Sequence, residues 1–157
     1  MSNVIERRLK LKELLRGTSM TVAPSCFNAL SARLVESIGF KVVHVSGSSL
    51  SRFAGYPDIG LLDLSEMIQI HERIVEATTI PVVGDAETGF GGPVHVVRTV
   101  RAYERAGLAA IHIEDEPCSG RRKSSGMPAR QRQPTHVVVL PGKANGEKGS
   151  ERGSIIV

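Results

Sequence analysis

Two carboxylate residues, Asp85 and Glu87, follow a short apolar segment with only Ala86 between them. Residues 80–83 are apolar, which predicts a strand buried on both faces of a parallel sheet. Because residues two apart on an extended backbone point to the same side, both carboxylates face one way. Such a pair repels unless a cation lies between the two groups, and oxygen ligands of this kind suit Mg²⁺. The alternative is a polar turn with two solvated acids.

The residues after this pair predict a tight turn into a helix. Gly89, Gly91 and Gly92 free the backbone, and Pro93 is favoured at the first position of a helix. The glycines lack the spacing of a dinucleotide-binding loop and follow the third predicted strand instead of the first. We therefore do not expect a nucleotide site.

Around this segment the chain alternates between helical and strand patterns. The helices are predicted at residues 5–16, 27–38, 64–78 and 93–106, and the strands at residues 20–23, 41–45, 80–83 and 108–113. The second helix carries Phe27, Leu30, Leu34 and Ile38 on one face, whereas residues 46–49 are predicted as a loop. Alternating strands and helices imply a parallel sheet with polar residues collected at its carboxyl end.

The character of the chain changes after Pro117. Residues 118–157 carry eight Lys and Arg against two Asp and Glu and show no apolar period. We predict a structured unit at residues 1–117 and a basic, low-complexity, largely disordered tail at residues 118–157, with one short strand at residues 136–140. The tail lacks the interleaved aromatic residues that stack on bases, so we expect no nucleic acid partner.

Cysteine usage and hydropathy point to the cytoplasm. Cys26 and Cys118 are too few for a disulfide scaffold. No apolar run approaches the roughly 18 residues of a membrane span, so we expect no membrane partner. The basic amphipathic start is similar to a mitochondrial transit peptide, but Glu6 and Glu13 count against that interpretation.

Several ordered motifs occur over about residues 8–116. They are Ala23-Pro-Ser-Cys-Phe-Asn-Ala-Leu-Ser-Ala-Arg-Leu-Val35, Val45-Ser-Gly-Ser-Ser49, Gly55-Tyr-Pro-Asp-Ile-Gly60, Asp85-Ala-Glu-Thr-Gly-Phe-Gly91, Arg98-Thr-Val100 and Gly107-Leu-Ala-Ala-Ile-His-Ile-Glu-Asp115. Together these motifs resemble the isocitrate lyase/phosphoenolpyruvate mutase superfamily. The likeness is closest to its short members, such as methylisocitrate lyase, oxaloacetate decarboxylase and carboxyphosphonoenolpyruvate mutase-like proteins. It implies an α/β fold, a partial (β/α)8 TIM barrel with the N-terminal helix and the first four strands.

The resemblance also implies a site for Mg²⁺ and a small 2-oxo or 2-hydroxy acid. The residues that match acids holding the metal, directly or through its waters, are Asp85, Asp58, Glu87 and Glu114. The residues that match positions contacting the substrate are Ser46, Gly47, Ser48 and His112. Two of these have other interpretations, since Asp58 fits a turn led by Pro57 and His112 fits a satisfied core histidine. We expect His44 and His71 to be structural and His95 to be exposed.

The implied reaction is cleavage of a carbon–carbon bond, in which Mg²⁺ stabilises a pyruvate enolate. The superfamily's lyases carry a Lys-Lys/Arg-Cys-Gly-His loop after the fourth strand, and this sequence has none. Cys118 comes five residues too early and lacks the Gly-His that should follow it, so no catalytic acid is assigned. The alternatives are a phosphonomutase and a truncated, catalytically inactive fragment. A half-barrel would expose two sheet edges and an open apolar face, which favours association into a homo-oligomer.

Overall fold

The computed structural model describes residues 2–114, 135–140 and 155–156. Its helices are α1 (Ser2–Arg16), α2 (Ala29–Ile38), α3 (Gly47–Phe53), α4 (Leu64–Ala77) and α5 (Pro93–Arg105). Its strands are β1 (Thr21–Val22), β2 (Ser25–Cys26), β3 (Val43–Val45), β4 (Val82–Asp85), β5 (Ala110–Glu114), β6 (Thr135–Val139) and β7 (Ile155–Ile156). Among the described residues, no helix has the length and apolar character needed to cross a membrane.

A five-stranded sheet organises the fold, in the order β2-β3-β4-β5-β6. The strands β2 to β5 are parallel and neighbour one another in chain order, as the sequence predicts for the first half of a barrel. Val83 lies opposite His44 on one side and Ala110 on the other. This register places the carboxyl ends of β3, β4 and β5 side by side.

One face of the sheet packs against α2, α4 and α5. Val82 and Ile111 lie in the same apolar cluster as Met67 of α4 and Tyr103 of α5. Gly84 of β4 is needed in this layer because a Cβ there would lie 2.4 Å from a methyl carbon of Leu108. Ring atoms of His71 in α4 would lie 2.9 Å from the same Cβ, so the close approach of α4 to β4 depends on a residue without a side chain.

The opposite face of the sheet packs against α1. Leu11 is fully buried in a second cluster with Val42, Val83 and Ala110. Because side chains alternate along a strand, the residues two positions further toward the carboxyl ends lie on this same face. Those residues are His44, Asp85 and His112.

Two consecutive arginines attach α1 to the ends of α4 and α5. Arg7 donates a hydrogen bond to the carbonyl oxygen of Val75 at the end of α4 (2.9 Å), and Arg8 donates to that of Glu104 at the end of α5 (2.9 Å). The last carbonyl groups of a helix lack partners within the helix and carry partial negative charge. Each guanidinium therefore satisfies a helix end while α1 covers the sheet.

Local sequence signals account for the helix boundaries. Asp63 accepts a hydrogen bond from the backbone N–H of Glu66, and the Glu66 carboxylate accepts one from that of Asp63. This capping box confirms the predicted start of α4. Gly39 ends α2 in the left-handed conformation, at φ 102°, as the predicted helix stop requires.

The apolar face of α2 lies on the outside. Leu30, Leu34 and Ile38 are 78%, 60% and 66% exposed, whereas Ala32 and Val35 are buried. The apolar period of this helix predicts which residues share a face, but the face that packs inward carries Ala32 and Val35.

Three further elements differ from the sequence expectations. The strand predicted at residues 20–23 corresponds to β1, which pairs with β7, whereas the first strand of the main sheet is β2, which begins two residues after the predicted end. Residues 47–49, predicted as loop, form the first turn of α3. The outer edge of β5, expected to be exposed, pairs with the antiparallel strand β6.

The predicted disordered tail is only partly covered by the structure. The short strand expected at residues 136–140 is confirmed as β6, and β7 pairs with β1. Leu140 is fully buried. Apart from residues 135–140 and 155–156, the tail at 118–157 lies outside the described residues, so that part of the prediction stays a prediction.

Burial of His71 predicts that acid destabilises the fold. The ring is fully buried beside Tyr103, and burial lowers the pKa of His71 from 6.5 to about 4. Between these two values the unfolded chain binds a proton that the folded chain does not, so stability decreases as pH falls. We expect this residue to remove about 3 kcal/mol from the free energy of unfolding across that window.

Urea unfolding followed by circular dichroism at several pH values measures this loss, with His71→Phe as the comparison. The variant should lose less stability than the native chain between pH 6.5 and pH 4, whatever its stability at neutral pH. Equal losses in the two proteins would contradict the assignment to His71.

Candidate metal and substrate site

The carboxyl ends of three strands meet around Asp85, the last residue of β4. Backbone hydrogen bonds tie the segments together, since Ala86 N–H donates to the carbonyl oxygen of His112 (3.0 Å) and Glu114 N–H donates to that of Glu87 (2.8 Å). Gly47, which follows β3, approaches from the other side. The sequence-predicted residues Gly47, Asp85, Glu87, His112 and Glu114 are thereby brought together.

Three donors hold the carboxylate of Asp85, which is itself buried. Its Oδ1 atom accepts hydrogen bonds from the backbone N–H of Glu87 (2.8 Å) and from Nε2 of His112 (3.0 Å). Its Oδ2 atom accepts one from the backbone N–H of Gly47 (2.9 Å). A carboxylate oxygen has two lone pairs, so within the described residues Oδ2 keeps acceptor capacity while Oδ1 is saturated.

Asp85 and His112 form a charge-assisted pair. Burial alone would raise the pKa of Asp85, but the hydrogen bond and charge of His112, with the two backbone N–H groups, lower it to about 2. Burial would likewise lower the pKa of His112, but the hydrogen bond and charge of Asp85, with the charges of Glu114 and Glu87, raise it. The carboxylate is therefore ionised at neutral pH, as a cation ligand must be.

Gly47 leaves a small space into which two carboxylates point. A Cβ atom built on Gly47 would lie 2.3 Å from Oε1 of Glu87 and 2.8 Å from Oδ2 of Asp85. Both oxygens thus lie against the same backbone atom, and any side chain at position 47 would displace them. This juxtaposition is the strongest sign of a ligand site in the structure.

The loop after β4 has a costly backbone conformation. Glu87 and Phe90 have positive φ angles, 49° and 57°, a region that costs non-glycine residues about 1–2 kcal/mol. Helix α5 holds the loop, because the Thr99 hydroxyl donates to the carbonyl oxygen of Gly89 (2.9 Å) and the Tyr103 hydroxyl donates to that of Asp85 (2.7 Å). Strain that neighbouring contacts maintain is typical of functional loops.

The segment Ser46 to Ser48, expected to bind substrate, makes contacts within the chain, and its role toward a substrate stays a prediction. Ser46 is the N-cap of α3, and its hydroxyl accepts a hydrogen bond from the backbone N–H of Ser49 (3.4 Å). The N–H of Gly47, expected to bind substrate, donates to Asp85. Ser48 is half-buried in the first turn, and its contact with a substrate stays a prediction.

The remaining predicted residues lie on the loop after α3 and on β5. Asp58 is half-buried on the loop that joins α3 to α4, and Glu114 is half-buried at the end of β5. The ring of His112 lies at the site, where its Nε2 atom bonds Asp85. His95 is exposed, as expected. The roles of Asp58, Glu114 and His112 toward a ligand stay predictions.

Sequence reasoning missed two residues that support the centre. Tyr103 was given no role at the site, and His44 was expected only to be structural. His44 alternates with Val43 and Val45 along β3, so its side chain lies on the opposite face, toward the interior. Its Nε2 atom lies 3.1 Å from Nδ1 of His112. The strand alignment, which the sequence does not contain, was the missing signal.

The donor set is compatible with Mg²⁺. Within residues 2–114, no three His, Cys, Asp or Glu side chains converge as they would in a complete protein cage. Mg²⁺, however, usually takes one or two carboxylates and keeps several waters. Asp85 and Glu87, which meet at the space beside Gly47, supply that number of carboxylates.

Comparison with known proteins agrees with this description. A family model described as phosphoenolpyruvate phosphomutase matches residues 11–141. The match extends past the predicted boundary at residue 117, which itself stays a prediction. The chain is 45% identical over 108 residues to 2,3-dimethylmalate lyase of Eubacterium barkeri, and the match covers 68% of this chain and 37% of that protein.

Solved structures show the same fold. A phosphoenolpyruvate phosphomutase from Streptomyces platensis subsp. rosaceus superposes with a TM-score of 0.72 at 33% identity, covering 80% of this chain and 43% of the other. A phosphonopyruvate hydrolase in complex with oxalate and Mg²⁺ superposes with a TM-score of 0.69 at 33% identity, covering 71% and 39%.

These matches confirm the partial (β/α)8 fold and the resemblance drawn from the motifs. The chain spans about two fifths of the length of the proteins that it matches. The family model covers most of the sequence, and the named relatives include lyases and a mutase. The chain therefore belongs to the phosphoenolpyruvate phosphomutase family, within the PEP mutase/isocitrate lyase superfamily.

Proposed function

We propose that the chain carries the Mg²⁺ site of a carbon–carbon bond lyase that acts on a small 2-oxo or 2-hydroxy acid, such as a methylisocitrate- or oxaloacetate-like substrate. The observation that carries the proposal is the meeting of the Asp85 and Glu87 carboxylates at Gly47. The 45% identity to a dimethylmalate lyase supports the reaction class. The matched hydrolase structure that contains oxalate and Mg²⁺ supports the cofactor.

Asp85 is the principal ligand in this proposal, through its Oδ2 atom, and Glu87 is the second. Asp58 and Glu114 would act directly or through bound waters. When bound, Mg²⁺ would supply Lewis-acid stabilisation of the enolate charge that develops as the bond breaks. The three donors to Asp85 keep its carboxylate oriented and ionised before any ligand arrives.

The groups around Asp85 can bind and orient a ligand, but none of them is assigned as the proton donor that bond cleavage requires. The Nε2 proton of His112 is directed at Oδ1 of Asp85, so that nitrogen orients a ligand of the metal instead of delivering a proton to substrate. Cys26 is buried and burial raises the pKa of its thiol to about 12, so it is no acid–base group at neutral pH. Among the described residues we assign binding and orientation, and no general acid.

A phosphonomutase is the second candidate, because the structure matched at a TM-score of 0.72 is a phosphomutase. The two reactions would share the Mg²⁺ ligands and differ in the bond that breaks. Phosphorus NMR with phosphonopyruvate distinguishes them, since a mutase converts the phosphonate signal into the phosphate ester signal of phosphoenolpyruvate and a lyase leaves it unchanged.

The metal site can be tested by calorimetric titration with Mg²⁺ in the presence of oxalate, a mimic of the pyruvate enolate. We expect saturable binding by the native chain. Asp85→Asn should weaken it at least about tenfold, because an amide offers one acceptor and no charge. Glu72→Gln, which alters an exposed acid on α4, is the matched control and should bind as the native chain does.

Circular dichroism establishes that each protein in this titration is folded. A folded native chain that binds no Mg²⁺, or an Asp85→Asn variant with native affinity, would contradict the proposed site. Loss of binding in Glu72→Gln as well would show that any change of charge weakens the titration, and would remove the support for Asp85.

Replacing Glu87 with glycine should raise the stability of the fold and weaken the binding of Mg²⁺. This replacement removes a side chain from a positive φ position, so we expect Glu87→Gly to gain about 1 kcal/mol in the free energy of unfolding. The same variant loses one of two carboxylates and should bind Mg²⁺ more weakly.

Glu87→Gln is the matched comparison for this pair of effects, because it removes the charge and keeps the strained backbone. It should lose Mg²⁺ affinity without the gain in stability. Urea unfolding and calorimetry measure both quantities. The interpretation of Glu87 as a strained ligand fails if the glycine variant is less stable than the glutamine variant, or if both bind Mg²⁺ like the native chain.

A further inference from the structure

A chain of hydrogen bonds on the interior face of the sheet connects Asp85 to His112, His44 and Ser25. His112 Nε2 lies 3.0 Å from Asp85 Oδ1, and His112 Nδ1 lies 3.1 Å from His44 Nε2. His44 Nδ1 in turn lies 3.4 Å from the hydroxyl of Ser25. The two rings also stack, with centroids 4.9 Å apart and planes inclined by 29°. Strands β2, β3, β4 and β5 each contribute one residue.

The acceptor-only carboxylate determines how His112 is oriented. An ionised carboxylate donates no hydrogen bond, so His112 Nε2 must carry a proton. The other nitrogen of His112 then faces His44. Burial and the charge of His112 lower the pKa of His44 to about 4, so the His44 ring is neutral and has one donor and one acceptor nitrogen. With either nitrogen protonated, His44 can complement His112 Nδ1.

The two histidines are not what packing alone would select at these positions. Their neighbours on the same face, Val42, Val83 and Ala110, are apolar and buried in the cluster beneath α1. Burying two imidazoles there costs desolvation unless their nitrogens are hydrogen-bonded. The pairing satisfies both rings and directs one N–H group toward the carboxylate.

We propose that His44, held by Ser25, is a positioning residue that fixes the ring of His112 so that Asp85 presents its Oδ2 atom to Mg²⁺. The inference rests on the proposed function, because Mg²⁺ is the ligand that Asp85 is being positioned for. The side-chain contacts of His44 that carry this proposal are those with His112 and Ser25. His44 acts through His112, whose N–H group keeps Oδ1 occupied and the carboxylate plane fixed.

Removing this outer support should weaken the binding of Mg²⁺. Outer partners of metal ligands typically change metal affinity by about 10- to 100-fold. We expect His44→Phe, which keeps a stacked ring without nitrogens, to lose about tenfold in Mg²⁺ affinity. His44→Gln should restore much of the loss, since its amide can donate to His112 Nδ1. Ser25→Ala should cause a smaller loss of the same kind.

Calorimetric titration of the full chain with Mg²⁺ measures these affinities, and His95→Gln, at the exposed histidine of α5, is the control for histidine removal. Long-range proton–nitrogen NMR spectra supply a readout that does not need the metal. In the native chain the Nε2 proton of His112 should exchange slowly with water, because it is held against Asp85. In His44→Phe the Nδ1 atom of His112 loses its partner, so the Nδ1 signal should shift and the Nε2 proton should exchange faster, while Nε2 remains the protonated nitrogen.

The two readouts separate the inference from the proposed function. If the native chain binds no Mg²⁺, the proposed function fails, and the NMR signals of His112 in the variants still decide whether His44 positions it. Unchanged His112 signals in His44→Phe overturn the inference, as does native Mg²⁺ affinity in that variant. Should His44→Phe fail to fold, Ser25→Ala removes one hydroxyl only, and unchanged His112 signals there overturn it equally.

Discussion

The carboxylate of Asp85 is the group on which the arrangement of the site depends. Its two oxygens accept hydrogen bonds from Gly47, Glu87 and His112, which come from the ends of β3, β4 and β5. The bonds from Gly47 and His112 require the parallel register that places the strand ends together, whereas the bond from Glu87 is local. A shift of one residue in β5 would turn His112 to the helix-covered face and leave the buried carboxylate without its strongest donor. The geometry of the site therefore depends on the alignment of the strands.

The two faces of the sheet differ in what they contact. On the outer face, Tyr103 packs in the core and also donates to the carbonyl oxygen of Asp85, so the helix layer supports the loop from behind. On the inner face, α1 covers only the lower part of the sheet, where its arginines bond the ends of α4 and α5. The upper part of that face carries polar groups in place of apolar ones. The site lies where the packing of α1 ends.

The sequence was sufficient to predict the elements whose signals lie in neighbouring residues. The capping box of Asp63 and Glu66 and the alternation of strands with helices are fixed by neighbouring residues. The exposure of Leu34, the helical turn after Ser46 and the partner of His44 depend on groups far away in the chain, which no local pattern contains. For the site, the motifs identified Asp85, Glu87 and His112, but only the structure showed that the Gly47 N–H is already engaged by Asp85.

The site has several features that lower stability and that packing alone would not retain. Glu87 has a left-handed backbone, and the ring of His44 is buried among apolar neighbours. The apolar contacts of Leu108, Ile111 and Tyr103 with the helix layer supply the stabilisation that makes these features tolerable. The destabilising features belong to residues that surround the Asp85 carboxylate and are not distributed over the fold. That concentration argues for preorganisation, because a carboxylate held ionised and oriented loses little further freedom when it binds a cation.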